Sequence, residues 1–300
     1  MEVIQNGKSG LDTGIAAKQL NLLFDIRAIF KRRGQQVVSC EDESNLLFRI
    51  TPHEFNTKHF KALGHSSFRR IVSAIANSEN QILSLTDICC LCPDLTHQKM
   101  DKRLQEAQEL GMIIEEDQKY RPSKPVSFGP TLEWFVAATC VKDLDSIAYW
   151  GVKVQGLEGD YDVVVIRENQ VGYIECKSGK AGNIDETHIV NFLQRERLLA
   201  PRFSVYLVDG ISKDKVGNLV EYALKQNEEY LFEIPFVMES EISLQSEEYK
   251  NFIRLVPINS FFVSVNRPID KVLLEIYEFM TLVCDRMLVE ENRAGKAKFR

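Results

Sequence analysis

Several things are scarce in this 300-residue chain, and each scarcity narrows the field. Seven cysteines are too few for a disulfide-stapled scaffold, and an odd number leaves at least one thiol free. No apolar stretch runs uninterrupted for the roughly 20 residues that a membrane-crossing helix needs. The opening residues, Met1 to Gly10, lack a basic patch followed by an apolar run, so no secretory leader is read there. The expected setting is the cytoplasm, with reduced thiols and no membrane partner. Internal repeats and low-complexity segments are missing too. Positive charge is short: 37 Lys and Arg stand against 43 Asp and Glu, a formal charge of −6. A protein that coats nucleic acid non-specifically neutralises phosphates over a broad basic surface, which this balance argues against. A nuclease stays open, because a carboxylate metal site is itself acidic. Local patches such as Lys31-Arg32-Arg33 and Arg69-Arg70 can supply the positive footprint.

Two short motifs carry little. Gly7-Lys8-Ser9 lacks the upstream glycine and presenting strand of a phosphate loop, and reads as a plain loop. Cys89, Cys90 and Cys92 with His97 resemble half a zinc site, but no second cysteine pair exists to complete four ligands. Cysteines that pack a helix are the preferred reading.

Three regions are expected. Residues 1–65 form a small α/β segment, with a helix from Ile15 to about Arg33 and short strands near Gln36–Ser39 and Leu46–Ile50. Residues 66–125 read as a helix from Phe68 to Ala76, a cap at Ser84 with Asp87 three residues on, a helix from about Thr96 to Leu110 stopped by Gly111, and a small hairpin. That order resembles a winged helix. Lys99, Lys102 and Arg103 would lie on the outer face of its recognition helix, interleaved with Asp101, Glu106 and Glu109. Winged helices also serve as linkers or protein-contact modules, so duplex binding is one of two readings. Residues 126–300 hold the chemistry.

From Gly129 the pattern is helix, strand, strand, strand, helix, strand. Pro130 is tolerated in a helix's first turn. Asp162-Val163-Val164-Val165-Ile166 is a β-branched strand, and Val171–Lys177 returns. If Glu168 and Asn169 form a two-residue loop, Arg167 pairs with Gln170 and Asp162 falls opposite Glu175. Lys177, two residues on, shares the face of Glu175. Two carboxylates and a lysine then converge. Hard divalent ions such as Mg²⁺ or Mn²⁺ take oxygen ligands, and such a metal polarises a phosphate and acidifies bound water. Asp160 has the same parity as Asp162 and is the alternative ligand; Glu158 is weaker.

Gly159-Asp160-Tyr161-Asp162-Val163-Val164 followed by Ile174-Glu175-Cys176-Lys177 resembles the D…ExK core of the PD-(D/E)xK, or restriction-endonuclease-like, superfamily, over about residues 126–210. Gly129-Pro130-Thr131-Leu132-Glu133 is similar to that fold's first helix. The resemblance implies a mixed α/β sheet flanked by helices. It assigns metal binding to Asp162, Glu175 and the Cys176 carbonyl, nucleophile assistance to Lys177, and completion of the site to Glu133. It also implies that the following helix, with His188, Gln194, Arg195 and Arg197, holds the scissile phosphate; a solvent-facing role for His188 is equally open.

The sequence thus points to a metal-dependent endonuclease acting on nucleic acid, DNA before RNA. The arrangement loosely resembles nucleases of prokaryotic defence and mobile-element systems, which implies control by a protein partner or signal; a homodimer is also open. The alternatives are a nuclease fold that binds or assembles without turnover, and a winged-helix regulator. The intact Asp162, Glu175 and Lys177 set counts against both. Strands near Phe252–Val256 and Phe261–Val265, a helix from about Pro268 to Leu288, and a basic tail (Arg293, Lys296, Lys298, Arg300) complete the reading.

Overall fold

The computed structural model describes residues 26–40, 43–49, 58–78, 82–167, 170–178, 184–210, 213–226, 245–248, 252–256, 260–265 and 268–281. Gly7-Lys8-Ser9, the first part of the Ile15–Arg33 helix, the Glu168-Asn169 turn and the basic tail lie outside them.

The order helix, strand, strand, strand, helix, strand is present from Gly129 onward. It runs as α6 (Gly129–Asp143), β5 (Ile147–Val154), β6 (Tyr161–Arg167), β7 (Gln170–Ser178), α7 (Glu186–Leu199) and β8 (Phe203–Asp209). β5, β6 and β7 pair antiparallel, and β7 pairs parallel with β8 across α7. The parallel neighbour is reached through a helix because a tight turn cannot reverse the chain twice. Beyond β8 come α8 (Lys213–Gln226), β9 (Gln245–Glu248), β10 (Ile253–Val256), β11 (Ser260–Val265) and α9 (269–281). With β1 (Val37–Ser39) at the far edge, the sheet has eight strands in the order β1-β5-β6-β7-β8-β11-β10-β9. It is a mixed α/β sheet with helices on both faces.

β6 and β8 are buried on both faces, and their sequences are correspondingly runs of Val, Ile, Leu, Phe and Tyr rather than alternating patterns. Two side-chain clusters result. One face carries Val163, Val165, Ile174 and Cys176 against Leu132, Trp134 and Val136 of α6 and Val272 and Ile276 of α9. The other carries Val164, Tyr173 and Tyr206 against Ile26 and Phe30 of α1 (26–32), Phe192 of α7 and Val216 of α8. Gly172 has a packing reason: a Cβ there would lie 2.2 Å from the Phe203 ring of the adjacent strand.

Ahead of this sheet lie α2 (Lys58–Leu63), α3 (Ser66–Ala76), β2 (Leu83–Ser84), α4 (Leu85–Leu91), α5 (His97–Glu109), β3 (Ile113–Glu116) and β4 (Lys119–Pro122). The three strands form their own sheet, ordered β2-β4-β3. Ser84 and Asp87 close a reciprocal capping box on α4, and Thr96 caps α5, which ends at Leu110 before Gly111 at φ +66°. These elements are not separated from the main sheet. Ile71, Ile75 and Leu104 belong to the same continuous core as Phe135 and Val163. Arg69, fully buried, also donates from Nε to Asp209 Oδ2 at 2.6 Å and from Nη2 to Oδ1 at 2.9 Å, tying α3 to the end of β8.

One expectation fails locally. Residues 46–49 are not a strand; Glu43–Asn45 is a 3₁₀ turn and the chain then bends. Leu46, Leu47 and Phe48 are nonetheless buried. Side chains satisfy their backbone: the Leu47 N–H donates to Thr131 Oγ1 at 3.1 Å, Ser123 Oγ donates to the Leu47 carbonyl at 2.9 Å, and Lys124 Nζ to the Leu46 carbonyl at 2.9 Å. Burial without a ladder is affordable where the polar groups find such partners.

Candidate functional site

Register decides which side chains meet. Arg167 pairs with Gln170 and Val163 with Ile174, as a two-residue loop requires. Continued one step, that register sets Asp162 opposite Glu175, where facing Cβ atoms are about 5 Å apart. Alternation along β7 places Tyr173, Glu175 and Lys177 on one face. Asp162 and Glu175 retain only 8% and 4% of their exposure, so two carboxylates are buried as cross-strand neighbours.

Each has fixed partners. Asp162 Oδ2 accepts from the Cys176 backbone N–H at 2.7 Å. Glu175 Oε1 pairs with Lys177 Nζ at 2.6 Å. Its Oε2 accepts from the Tyr173 hydroxyl and from Arg195 Nη1 at 3.3 Å. Arg195 Nη1 also donates to the Asp160 carbonyl at 3.2 Å. Gly159, at φ +75°, closes over this guanidinium, and a Cβ there would lie 2.7 Å from Arg195 Nη2. Arg195 is thereby held between the β5–β6 turn and Glu175.

Burial, and then the Glu175 charge, push the Asp162 carboxyl up to about 7, against the pull of Lys177. Burial works against a charged Lys177, yet Glu175 and Asp162 outweigh it and hold the ammonium above its ordinary range. Burial, with Asp162 and Glu133 behind it, pushes the Cys176 thiol well up, so that sulfur is a neutral group and no nucleophile. The Tyr173 hydroxyl is driven up by burial and by Glu175 and stays a donor. Tyr206, paired with Glu175 across β8, has a buried hydroxyl with no hydrogen-bond partner among the described residues.

Asp162, Glu175 and Lys177 are therefore brought together. Glu133 stands on α6, over the opposite face, and its charge is felt at the Cys176 thiol. Asp160 contributes its backbone carbonyl to Arg195. His188 is engaged at the start of α7, with Nδ1 2.8 Å from Asp185 Oδ1 in a capping box. Tyr173 was not singled out in the sequence, although it shares the parity of Glu175 and was readable by that rule. Arg195 was marked only as one of several polar groups on its helix.

Among the described residues, no three His, Cys, Asp or Glu side chains converge as a metal-ligand group. The donor set here is a carboxylate pair with hard oxygen atoms. It fits a small divalent cation that keeps most of its waters and uses one or two carboxylates, and the raised Asp162 marks the burial, and then the repulsion by Glu175, that such a charge would offset. Cys89 lies beside His97 and Met100, Cys92 is buried and Cys90 exposed, so that cluster faces three separate environments. No described helix is long and apolar enough to cross a membrane.

No protein-family model matches the chain, and no curated protein does. Solved structures resemble part of it, among them the following two. The crystal structure of protein VC1899 from Vibrio cholerae is 14% identical at a TM-score of 0.42, over 68% of this chain and 55% of that one. Can2 from Sulfobacillus thermosulfidooxidans, solved in complex with cyclic tetra-adenylate, is 13% identical at a TM-score of 0.40, over 66% and 55%. The chain spans about half the length of these structures, and at this likeness neither identifies a ligand for it.

Proposed function

We propose that this chain is a metal-dependent nuclease of the PD-(D/E)xK type, hydrolysing phosphodiester bonds of nucleic acid, with DNA favoured. The observation that carries this reading is the buried Asp162–Glu175 pair with Lys177 on the same face, at the end of a helix–strand–strand–strand–helix–strand unit. Asp162, Glu175 and the Cys176 carbonyl would hold Mg²⁺ or Mn²⁺. Glu133, expected to complete the site, stands over the opposite face on the Cys176 side and is an acidic neighbour rather than a ligand of that ion. The bound ion would polarise the phosphate and lower the pKa of a water. Lys177, held in its charged form, cannot take a proton from that water at neutral pH. Its part is electrostatic: it orients the attacking oxygen and offsets charge on the phosphorane. Arg195, on the same carboxylate, adds a second cation facing the substrate. The attack forms a new P–O bond and breaks the ester bond, leaving a phosphate and a hydroxyl end.

The elements from α3 to β4 run helix, strand, helix, helix, strand, strand with sheet order β2-β4-β3, which supports reading them as a winged-helix module. We place the activity in prokaryotic defence or a mobile-element system, under the control of a partner or signal. The test is incubation with Mg²⁺ or Mn²⁺ and supercoiled plasmid, linear duplex, single-stranded DNA or RNA. Wild type should cut at least one substrate, Glu175→Gln should not, and Lys177→Ala should bind yet cut about 10²-fold or more slowly. Binding without turnover by wild type would replace this reading with a silent nucleic-acid-binding fold.

A further inference from the structure

Several arginines of this chain are committed. Arg69 is buried on Asp209, Arg70 pairs with Asp94, Arg103 with Glu106 and Arg121 with Glu116. Arg33 donates to the Leu199 carbonyl at 2.6 Å and caps the end of α7. Two cations earlier on α1 have no such partner among the described residues. Arg27 and Lys31, one helical turn apart on α1, are exposed, and among the described residues no carboxylate pairs with either.

These two cations line a groove of about 770 Å³ together with the amides of Gln35, Gln36 and Gln155. Among the described residues, no acidic side chain lines it. Two cations and three amides thus line one concave surface of a chain whose formal charge is −6. Gln35 is anchored through Nε2 to the Leu198 carbonyl at 3.3 Å, while its Oε1 has no partner among the described residues. The remaining wall is Val37 and Val38 of β1, the outermost strand.

Position ties the groove to the site. Val37 pairs with Val154, the Gln155 N–H donates to the Gln36 carbonyl at 2.8 Å, and Val152 pairs with Tyr161. The groove therefore stands at the same end of the sheet as Asp162 and Lys177. α1 also packs through Ile26 and Phe30 into the cluster that holds Tyr173, so groove and carboxylates share a face. β1 is three strand spacings from β7, about 14 Å, which is about four base steps at 3.4 Å each.

We propose that this groove holds the sugar–phosphate backbone of the nucleic-acid substrate about four nucleotides from the cleaved bond, at the spacing just derived. Arg27 and Lys31 neutralise successive phosphates, and the glutamine amides donate to phosphate or sugar oxygens. The assignment rests on the nuclease reading, but the two fail separately.

The test uses the full chain and the variants Arg27→Glu/Lys31→Glu and Arg27→Gln/Lys31→Gln, with thermal melting to check folding. Affinity for labelled single- and double-stranded DNA and RNA is measured by anisotropy without divalent metal at several salt concentrations. Hydrolysis of bis(p-nitrophenyl) phosphate with Mn²⁺, a diester too small to reach the groove, reports the chemistry alone. The charge-reversal variant should bind about tenfold or more weakly and lose about two units of salt slope, one for each phosphate contact. The glutamine variant should move in the same direction with the fold intact. Both should hydrolyse the small diester at the wild-type rate. Neutral methylphosphonate linkages about four steps from the cut should weaken wild-type binding and leave the variant indifferent. Unchanged affinity and slope in both variants, with the small diester still cut, would overturn the groove and leave the nuclease standing. That result would turn attention to a protein strand pairing on β1, where Val38 is 58% exposed. Loss of affinity in a protein whose wild type cuts no diester at all would sustain the groove and overturn the nuclease.

Discussion

Burying Asp162 beside Glu175 stores a conflict in the metal-free protein. In the unfolded chain Asp162 ionises near its ordinary value, whereas in the fold it is raised to about 7. Between those limits the native state binds the extra proton, so stability falls as pH rises through that window, and the loss is complete above the folded value. Asp162→Asn removes the charge but keeps an oxygen able to accept from the Cys176 N–H. Without metal, its unfolding free energy in denaturant titration should exceed that of wild type above neutral pH, by up to a few kcal/mol, with the gain fading below about pH 4. Added Mn²⁺ should raise the wild-type melting temperature and leave the variant unmoved. A variant less stable than wild type at every pH would remove the conflict from the account. At this scale much was legible: period-two alternation and one turn length suffice to bring Asp162, Glu175 and Lys177 together. The Glu175–Arg195 contact was not, because the two residues sit on elements whose docking angle no local pattern encodes.

Elements add a different kind of constraint. Arg69-Arg70 reads in sequence as a basic surface patch, yet the structure spends Arg69 inside the protein. Its flanking Phe68, Ile71, Val72 and Ile75 define the buried stripe of α3, and Arg69 lies at the margin of that stripe. Only the distant Asp209 decides whether such a marginal residue turns inward. Likewise Leu46-Leu47-Phe48 has the apolarity of a strand, and only the side chains of Thr131, Ser123 and Lys124 make another backbone path possible. Caps behave oppositely: Ser84, Asp87 and Thr96 act within four residues and were readable. The Arg69–Asp209 pair makes a sharp prediction. Arg69→Met alone should destabilise by about 3–5 kcal/mol, since it strands a buried carboxylate, whereas Arg69→Met with Asp209→Leu should recover most of that loss. Equal destabilisation by the single and double variants in denaturant titration would mean that the pair supplies packing rather than charge compensation. Asp209 pairs with Ser178 at the end of the sheet that holds Asp162 and Glu175, so on the proposed nuclease reading the single variant should also slow cleavage, and the double variant should restore it.

Across the whole molecule, a formal charge of −6 means that any grip on nucleic acid is local and set against a repulsive background. Two surfaces compete for that part. One is the Arg27–Lys31 groove, at the same end of the sheet as the carboxylates. The other is the outer face of α5, where Lys99 and Lys102 are exposed alongside Asp101, while Arg103 is tied to Glu106 and to Ser67 Oγ at 3.3 Å. Because α3, α5 and the main sheet share one core, the two surfaces are held on a common body rather than on a flexible tether. A duplex that touched both would feel both sets of charges at once. The expected outcome for Lys99→Glu/Lys102→Glu then depends on the role of the module, and a cycle resolves it. If the module reads duplex, this variant weakens duplex binding, lowers its salt slope by about two units, and adds its loss to that of Arg27→Glu/Lys31→Glu in the quadruple variant. Single-stranded binding, which needs only the groove, should barely change. If the module instead meets a protein partner, the α5 variant binds every nucleic acid as wild type does, and the quadruple variant matches the groove variant alone. Anisotropy titrations of the four proteins against one duplex and one single strand, at two salt concentrations, separate these outcomes. We expect the second, because exposed Asp101 on the same helix offsets part of the charge that Lys99 and Lys102 would offer to a phosphate backbone.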